Sequence, residues 1–544
     1  MELVAVPLSG APPNPARSPL EIPMQTTPVA RLFPVVAALM IGFVAVTSPA
    51  LAEGPQGGQG RAVAAPTGSL EELLAPIAED RLFRTSQVGL QVVNVRTGEE
   101  VFARNPDRDL IPASTMKVLT AAVALRELGP SYRFSTDFYV DDDVKMDAKG
   151  VLEGSLYIRG HGDPTLELET LFKMVNDLKL AGLTEIDGDV VYDEGFLDVN
   201  YLIPGWEKES DLENGPSYFP TLGALSVNNN LVGFVVGPGG EVGKSARIGL
   251  EVPASSYIEI ENKVLTTAKG TRRTLRIERE VNEDDHTLKF TLTGTMPMDS
   301  GTERYRRAVV DPTAHFMAAM EEILKNNGIT VKGKHVRGGA PAKGQLFYAH
   351  RSAALSSILA EMNKQSNNFI AEQVLRTVGA ETQGLPGTTE GGIKTIQAYL
   401  DSLGVGSNMA KLRNGSGLTR ESTIQPSVFT AVLVDMSNNQ RVGSEFKASL
   451  AIAGQDGTLW RRLSEDPGRL RGKTGTIDGV HCLVGYLEAA DGQVYAFSFM
   501  VNGIRGDASV VKRLHDRFAR RMFSSGTPTP EVVQGTEAGD DGED

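Results

Sequence analysis

Pro112-Ala113-Ser114-Thr115-Met116-Lys117-Val118-Leu119 sets a hydroxyl and an amine three residues apart, at the start of an apolar stretch that runs to Leu128 and stops at Gly129-Pro130. These brackets predict a helix over about 114–128. Residues three apart share a helix face, so the Lys117 amine can take the proton of the Ser114 hydroxyl. A serine at a helix N-terminus also sits where the dipole and the free N–H groups favour developing negative charge. A lysine acts as a base only when neutral, which demands burial or a cationic neighbour. Met116, Val118 and Leu119 can supply apolar walls. Ser-x-x-Lys by itself is equally an N-cap serine followed by a solvated lysine, a pattern that arises about once or twice by chance in a long chain.

Two later stretches change that balance. Gly472-Lys473-Thr474-Gly475-Thr476 pairs glycines, which permit close backbone approach, with a cation and hydroxyls suited to a carboxylate. Its plain alternative is an exposed edge strand or turn. Ser366-Asn367-Asn368 falls at the junction of two helical segments, where a hydroxyl and an amide can point into a cleft. On its own it is an ordinary cap. The order Ser-x-x-Lys, Ser-x-Asn, Lys-Thr-Gly, each in a suitable context, is the motif set of the penicillin-recognising serine enzymes.

Composition bounds the rest. The chain has 544 residues, 41% hydrophobic and 22% charged, which suits a soluble globular protein of two or three domains. A formal net charge of −14, with no basic stripe interleaved with aromatics, disfavours nucleic acid as a partner. Arg31, the apolar run 35–46 and Ser48-Pro49-Ala50-Leu51-Ala52 predict a signal peptide over 1–52 and export, with Met24 as an alternative initiator. That run of about 12 residues is shorter than the roughly 20 that a spanning helix needs, so no membrane span is expected in the mature protein. The single cysteine, Cys482, rules out an internal disulfide and reads as a small buried hydrophobe. His481 beside it suggests a metal pair, but strand neighbours face opposite sides and no third ligand is spaced nearby, so no metal is expected.

Along the chain, 53–68 reads as a flexible linker and 524–544 as a disordered acidic tail. Helical spacing over 70–83, alternation over 88–95 and a second strand over 100–104 give a helix followed by a hairpin. From 134 to 344 the texture becomes short strands with many Gly and Asp turns, so this region is expected to be inserted. Helical periodicity returns at 355–362, 369–377, 393–403 and 428–436, before a strand pair about Asp491-Gly492 and a helix over 507–523. Parts 69–133 and 345–523 are thereby expected to close one α/β domain around the insert.

With that long insert between Ser114 and Ser366, the sequence resembles the class C low-molecular-mass penicillin-binding proteins, the D-alanyl-D-alanine carboxypeptidase/endopeptidase family. Supporting stretches are Gly160-His161-Gly162-Asp163-Pro164-Thr165-Leu166, Ser226-Val227-Asn228-Asn229-Asn230, Asn414-Gly415-Ser416-Gly417-Leu418 and Ala453-Gly454-Gln455-Asp456-Gly457-Thr458-Leu459. The resemblance spans about 70–523. It implies a β-lactamase/transpeptidase-like α/β catalytic domain with a β-rich inserted region of one or two smaller domains, and no organic cofactor. Two positions depart from the family: Asn414, where aspartate is usual, and Asn367, often aspartate.

The resemblance further implies an exported serine DD-peptidase, periplasmic or otherwise extracytoplasmic, acting on peptidoglycan peptides and blocked by β-lactams. Ser114 would be the nucleophile, Lys117 its base and Ser366 a proton relay, while the N–H groups of Ser114 and Thr476 would hold the oxyanion. Asn368 would hold the acyl-side amide, and Lys473, Thr474 and Thr476, with Gly475 as a further substrate-binding position, would grip the terminal carboxylate or, in an endopeptidase, neighbouring polar groups. Two rivals stay open at this point: a β-lactamase, which would need an added water-activating glutamate that the sequence does not reveal, and a catalytically idle cell-wall scaffold.

Overall fold

The structure, a computed structural model, describes residues 70–206, 215–282, 284 and 287–525. The expected signal peptide and linker lie outside the described residues, as does the acidic tail beyond Ser525. Ser524 and Ser525 themselves belong to the fold, because Ser525 is buried and its carbonyl accepts a hydrogen bond from the Ala490 N–H.

A six-stranded antiparallel sheet organises the site. Its order is Ala451–Ile452, Leu470–Ile477, Val480–Glu488, Val494–Asn502, Gln87–Asn94 and Glu100–Arg104. Strands from the early and the late part of the described residues thus meet in one sheet. Strand Val480–Glu488 shows why the sheet is covered on both sides. Val480, Cys482, Val484 and Tyr486 face one apolar core, and Leu483 and Leu487 face the other. A strand buried on both faces reads as a continuous apolar run instead of an alternation.

The first core is helical. Helix Lys117–Glu127 is buried at every position from Lys117 to Leu125, consistent with an apolar surface all round. Around it stand Leu355–Gln365, Asn368–Gln383, Thr389–Ser402 and Pro426–Asn438. On the other face, Ser509–Phe523 presents Val511, Leu514, Phe518 and Met522 at helical spacing, alongside Leu70–Ala78. The single helix expected over 70–83 is broken, with Leu70–Ala78 followed by Leu82–Thr85. Asp80 Oδ1 accepts from the Leu82 N–H at 3.0 Å, a local side-chain bond that competes with helical continuation.

Between Glu127 and Leu355 the chain builds other sheets around two large further apolar cores, with a smaller cluster about Trp206 and Phe219. The first has a five-stranded sheet ordered His335–Arg337, Val190–Asp193, Leu156–Gly160, Ser135–Val140 and Gln345–Arg351, packed by helices Leu168–Leu180 and Pro312–Asn326. Proline at the start of the second helix and Asp311 accepting from the Ala314 N–H fix where it begins. The second core lies between two three-stranded sheets and centres on Phe234 and Phe290, whose rings meet edge to face at 4.9 Å. No strand of either group enters the six-stranded sheet. Gln345–Arg351 pairs with Ser135–Val140, so residues 345–351, just past the compositional boundary, belong to the insert's sheet. Among the described residues no helix is long and apolar enough to cross a membrane.

Candidate active site

Ser114 lies on a 3-10 turn, Ala113–Met116, which leads into helix Lys117–Glu127, so the α-helix starts a few residues later than expected. The turn is held from two sides by glycines. Ala113 has φ +47°, an unusual value for alanine, and its carbonyl faces Gly417. A Cβ on Gly417, itself at φ +75°, would lie 1.9 Å from that oxygen. A Cβ on Gly475 would lie 2.6 Å from Pro112 O and 3.2 Å from Ser114 N. Both positions need glycine because backbone meets backbone there.

Lys117 is fully buried, with Nζ 3.1 Å from Ser114 Oγ, 2.8 Å from Asn368 Oδ1 and 2.9 Å from Ser416 O. Burial lowers its pKa to about 7, against the opposing pull of Glu372. Glu372 is also fully buried, and its two oxygens accept the N–H groups of Gly415 at 2.9 Å and Ser416 at 2.7 Å. Burial raises its pKa, and the Ser416 side chain, those two N–H bonds and Lys117 oppose the rise. One carboxylate therefore fixes the turn whose next carbonyl, that of Ser416, receives the lysine.

Ser366 closes helix Leu355–Gln365 in the left-handed region, φ 58°, and Asn367 caps helix Asn368–Gln383 by accepting from the Ile370 N–H at 3.1 Å. The elbow expected between two helical segments is present, and its middle residue is a cap that aspartate serves equally well. Asn414 bridges Gly417 N at 2.9 Å and Pro204 O at 3.0 Å. The second bond uses an amide N–H that an ionised aspartate lacks.

Lys473 differs from its expected role. Its side chain is fully buried and donates to Ser366 Oγ at 2.8 Å and Thr474 O at 2.7 Å, so it braces the cleft from beneath instead of projecting into it. Its pKa lies well below the usual lysine value, first through burial and then through Lys117. Thr474 Oγ1 donates to Thr458 Oγ1 at 2.8 Å, and Thr476 Oγ1 lies 3.2 Å from His481 Nδ1.

These groups border a cleft of about 390 Å³ that exposes Ser114, Ser366, Thr474 and Thr476, and continues past Thr458 to Arg462, His481, Lys512 and His515. A larger cavity of about 690 Å³, between Tyr201, Phe219 and Arg279, contains none of the residues singled out in the sequence. All eight of those residues cluster here, but the buried Lys117, Lys473 and Gly475 stand behind the cleft wall, and the half-buried Asn368 lies beside it. Sequence reasoning missed Glu372 and the carbonyl of Tyr218, which accepts from Asn368 Nδ2 at 3.2 Å. Glu372 had a legible signal, lying one helical turn past Asn368 on the same face. Tyr218 had none, since a backbone acceptor leaves no trace in residue type.

Residues 70–522 match the D-Ala-D-Ala carboxypeptidase 3 (S13) family. The D-alanyl-D-alanine carboxypeptidase of Actinomadura sp. is 33% identical over 501 residues, covering 89% of this chain and 88% of the relative. DacB of Haemophilus influenzae, also a D-alanyl-D-alanine carboxypeptidase, is 26% identical over 425 residues, 77% of this chain and 86% of its own length. The crystal structure of penicillin binding protein 4 (dacB) from Haemophilus influenzae superposes with a TM-score of 0.69 at 24% identity, covering 84% of this chain and 99% of that one, a likeness of fold. The chain belongs to the D-Ala-D-Ala carboxypeptidase 3 (S13) family.

Proposed function

We propose that this protein is an exported serine DD-peptidase that hydrolyses D-alanyl-D-alanine ends, and D-alanyl cross-links, of peptidoglycan peptides through an acyl-enzyme on Ser114. The observation that carries the reading is the 3.1 Å contact between Lys117 Nζ and Ser114 Oγ, made by an amine that burial holds near neutrality. Oγ attacks the D-alanyl carbonyl as its proton passes to Nζ; the C–N bond then breaks and the leaving amine takes that proton, with Ser366 as relay. Water next attacks the ester, returning a proton through Lys117 and freeing Ser114. The N–H groups of Ser114 and Thr476 receive the oxyanion. Asn368 orients the acyl side, and Thr474 and Thr476 hold the carboxylate on the leaving side. Lys473 fixes Ser366 from below.

The water-activating glutamate of a β-lactamase has no counterpart in Glu372, whose two oxygens are bound by backbone N–H groups and which stands outside the cleft. Several segments of the insert reach the machinery: Tyr218 O meets Asn368, Pro204 O meets Asn414, and Asp198 pairs with the buried Arg376 at 2.7 Å. The insert thereby serves to hold helix Asn368–Gln383. N-terminal sequencing of the mature protein tests export, with residues before Ala50 retained as the contrary result. Incubation with muropeptide monomers and cross-linked dimers, read by mass spectrometry, tests the activity. Labelled penicillin should attach to Ser114 and not to Ser114→Ala; a folded wild type that neither labels nor releases D-alanine overturns the reading.

A further inference from the structure

The cleft does not end where the carboxylate of a leaving D-alanine would sit. Beyond Thr474 and Thr476 it continues to a wall of basic and imidazole side chains, Arg462, His481, Lys512 and His515, with no acid among the groups that line it. Arg462 is already held by Asp516, through Nε at 2.9 Å and Nη2 at 2.7 Å. Lys512, one helical turn before Asp516 on Ser509–Phe523, is exposed and makes no salt bridge among the described residues. His515 is 2% exposed, and its Nε2 is buried without a hydrogen-bond partner. A buried polar atom left unpaired is unfavourable, and His515 is also among the residues that line this end of the cleft. Both imidazoles titrate below the usual range, first through burial, with Arg462 and Lys512 contributing at His481 and Arg462 and His481 at His515. Arg462 thus bears on both rings, and Lys512 on His481.

We propose that this end of the cleft is a subsite for a second carboxylate, carried on the leaving side of the scissile bond, with Lys512 as its principal cation. A terminal D-alanine has one carboxylate, which Thr474 and Thr476 take. A leaving residue with an acidic side chain, or a cross-linked diamino acid that continues into further acidic peptide, brings another. A cleft lined by one sign of charge concentrates such ligands and ranks them above neutral isosteres. The subsite thus biases the enzyme toward cross-linked or acid-bearing leaving groups. This inference rests on the DD-peptidase reading above.

The test uses two peptides identical on the acyl side and ending in D-Ala-D-Glu or D-Ala-D-Gln, with released D-amino acid followed for the full-length protein. The wild type should show a kcat/KM ratio for Glu over Gln of roughly five-fold, the scale of a partly exposed charge-assisted contact. Lys512→Ala should bring that ratio near one, Lys512→Glu should invert it, and Lys512→Arg should keep it. Each ratio compares two substrates on one variant, so a loss of folded protein cancels. A wild-type ratio of one, or a preference that survives Lys512→Ala, overturns the subsite. Failure of the underlying reading looks different: neither peptide is cleaved and penicillin does not label Ser114.

Discussion

Lys117 Nζ stands 3.1 Å from Ser114 Oγ, while its other two neighbours, Asn368 Oδ1 and Ser416 O, can only accept hydrogen bonds. A neutral amine has two N–H donors and one lone pair. Two donors directed at Asn368 and Ser416 leave the lone pair facing the hydroxyl. The cage selects the orientation in which the amine is a base, and burial supplies the protonation state.

The first expected outcome is a pH profile. Lys117 titrates at about 7 and must be neutral to accept the proton, so acylation by a β-lactam should rise with pH through about 7 and level off above it. The sign follows from the lowered pKa: protonation on the acid side removes the base. Stopped-flow acylation between pH 5 and 9, a window spanning roughly two units each side of that value, checks it. A rate that falls with rising pH across that window contradicts the assignment of Lys117 as base.

Glu372→Gln should shift that acid limb. The carboxylate raises the pKa of Lys117, so a neutral amide lets it fall and the limb moves to lower pH. The amide also offers one oxygen where the carboxylate had two, leaving Gly415 N or Ser416 N without its acceptor. That loss costs about 1–3 kcal/mol of stability, read as a lower Tm. A lowered Tm with an unmoved limb would reduce Glu372 to a structural brace.

Legibility in the sequence followed the physics of each element. The helices were visible because one-sided burial imposes periodicity, and strands Val480–Glu488 and Val494–Asn502 because burial on both faces leaves a nearly continuous apolar run. Ser114, Lys117, Ser366 and Lys473 were visible because their chemistry demands particular residue types. The partner of Lys473 was not, since which hydroxyl a buried amine meets depends on how strand Leu470–Ile477 lies across the helical elbow. The break at Asp80 and the strand Gln345–Arg351 were missed for a related reason. One turns on a local side-chain bond, the other on pairing with a strand two hundred residues earlier, and neither alters a period. The second carboxylate subsite is assembled from 458–481 and 512–515, where no single stretch looks like a motif.

Alanine at either glycine around the nucleophile turn should separate reactivity from folding. Gly475→Ala places a methyl against Pro112 O and Ser114 N without a φ penalty, so the strand must retreat from the turn. Acylation should drop by about ten-fold or more, the usual sensitivity to an ångström of misplacement, with the fold retained. Gly417→Ala adds left-handed backbone strain to a 1.9 Å approach and should also lower Tm. Wild-type acylation by a folded Gly475→Ala would show that this contact does not govern the site.

Lys473 is the residue whose expected part the structure alters most, and its substitution separates two accounts. If the amine acted by meeting the ligand's carboxylate directly, loss of the cation would weaken anionic β-lactams far more than an uncharged ester substrate. The buried amine instead donates to Ser366 Oγ at 2.8 Å and Thr474 O at 2.7 Å, so its loss frees Ser366 and takes the donor from the part-buried Thr474 carbonyl. Lys473→Met keeps the volume and removes both bonds. Alanine would also open a cavity, adding a penalty of about 2 kcal/mol or more unrelated to the chemistry. Lys473→Met should therefore slow acylation by anionic and neutral substrates to a similar degree, with a Tm drop equivalent to about 0.5–1.5 kcal/mol for each hydrogen bond lost. Acylation kinetics for a penicillin and for an uncharged ester, measured side by side, decide it. A defect confined to the anionic substrate would return Lys473 to direct carboxylate recognition.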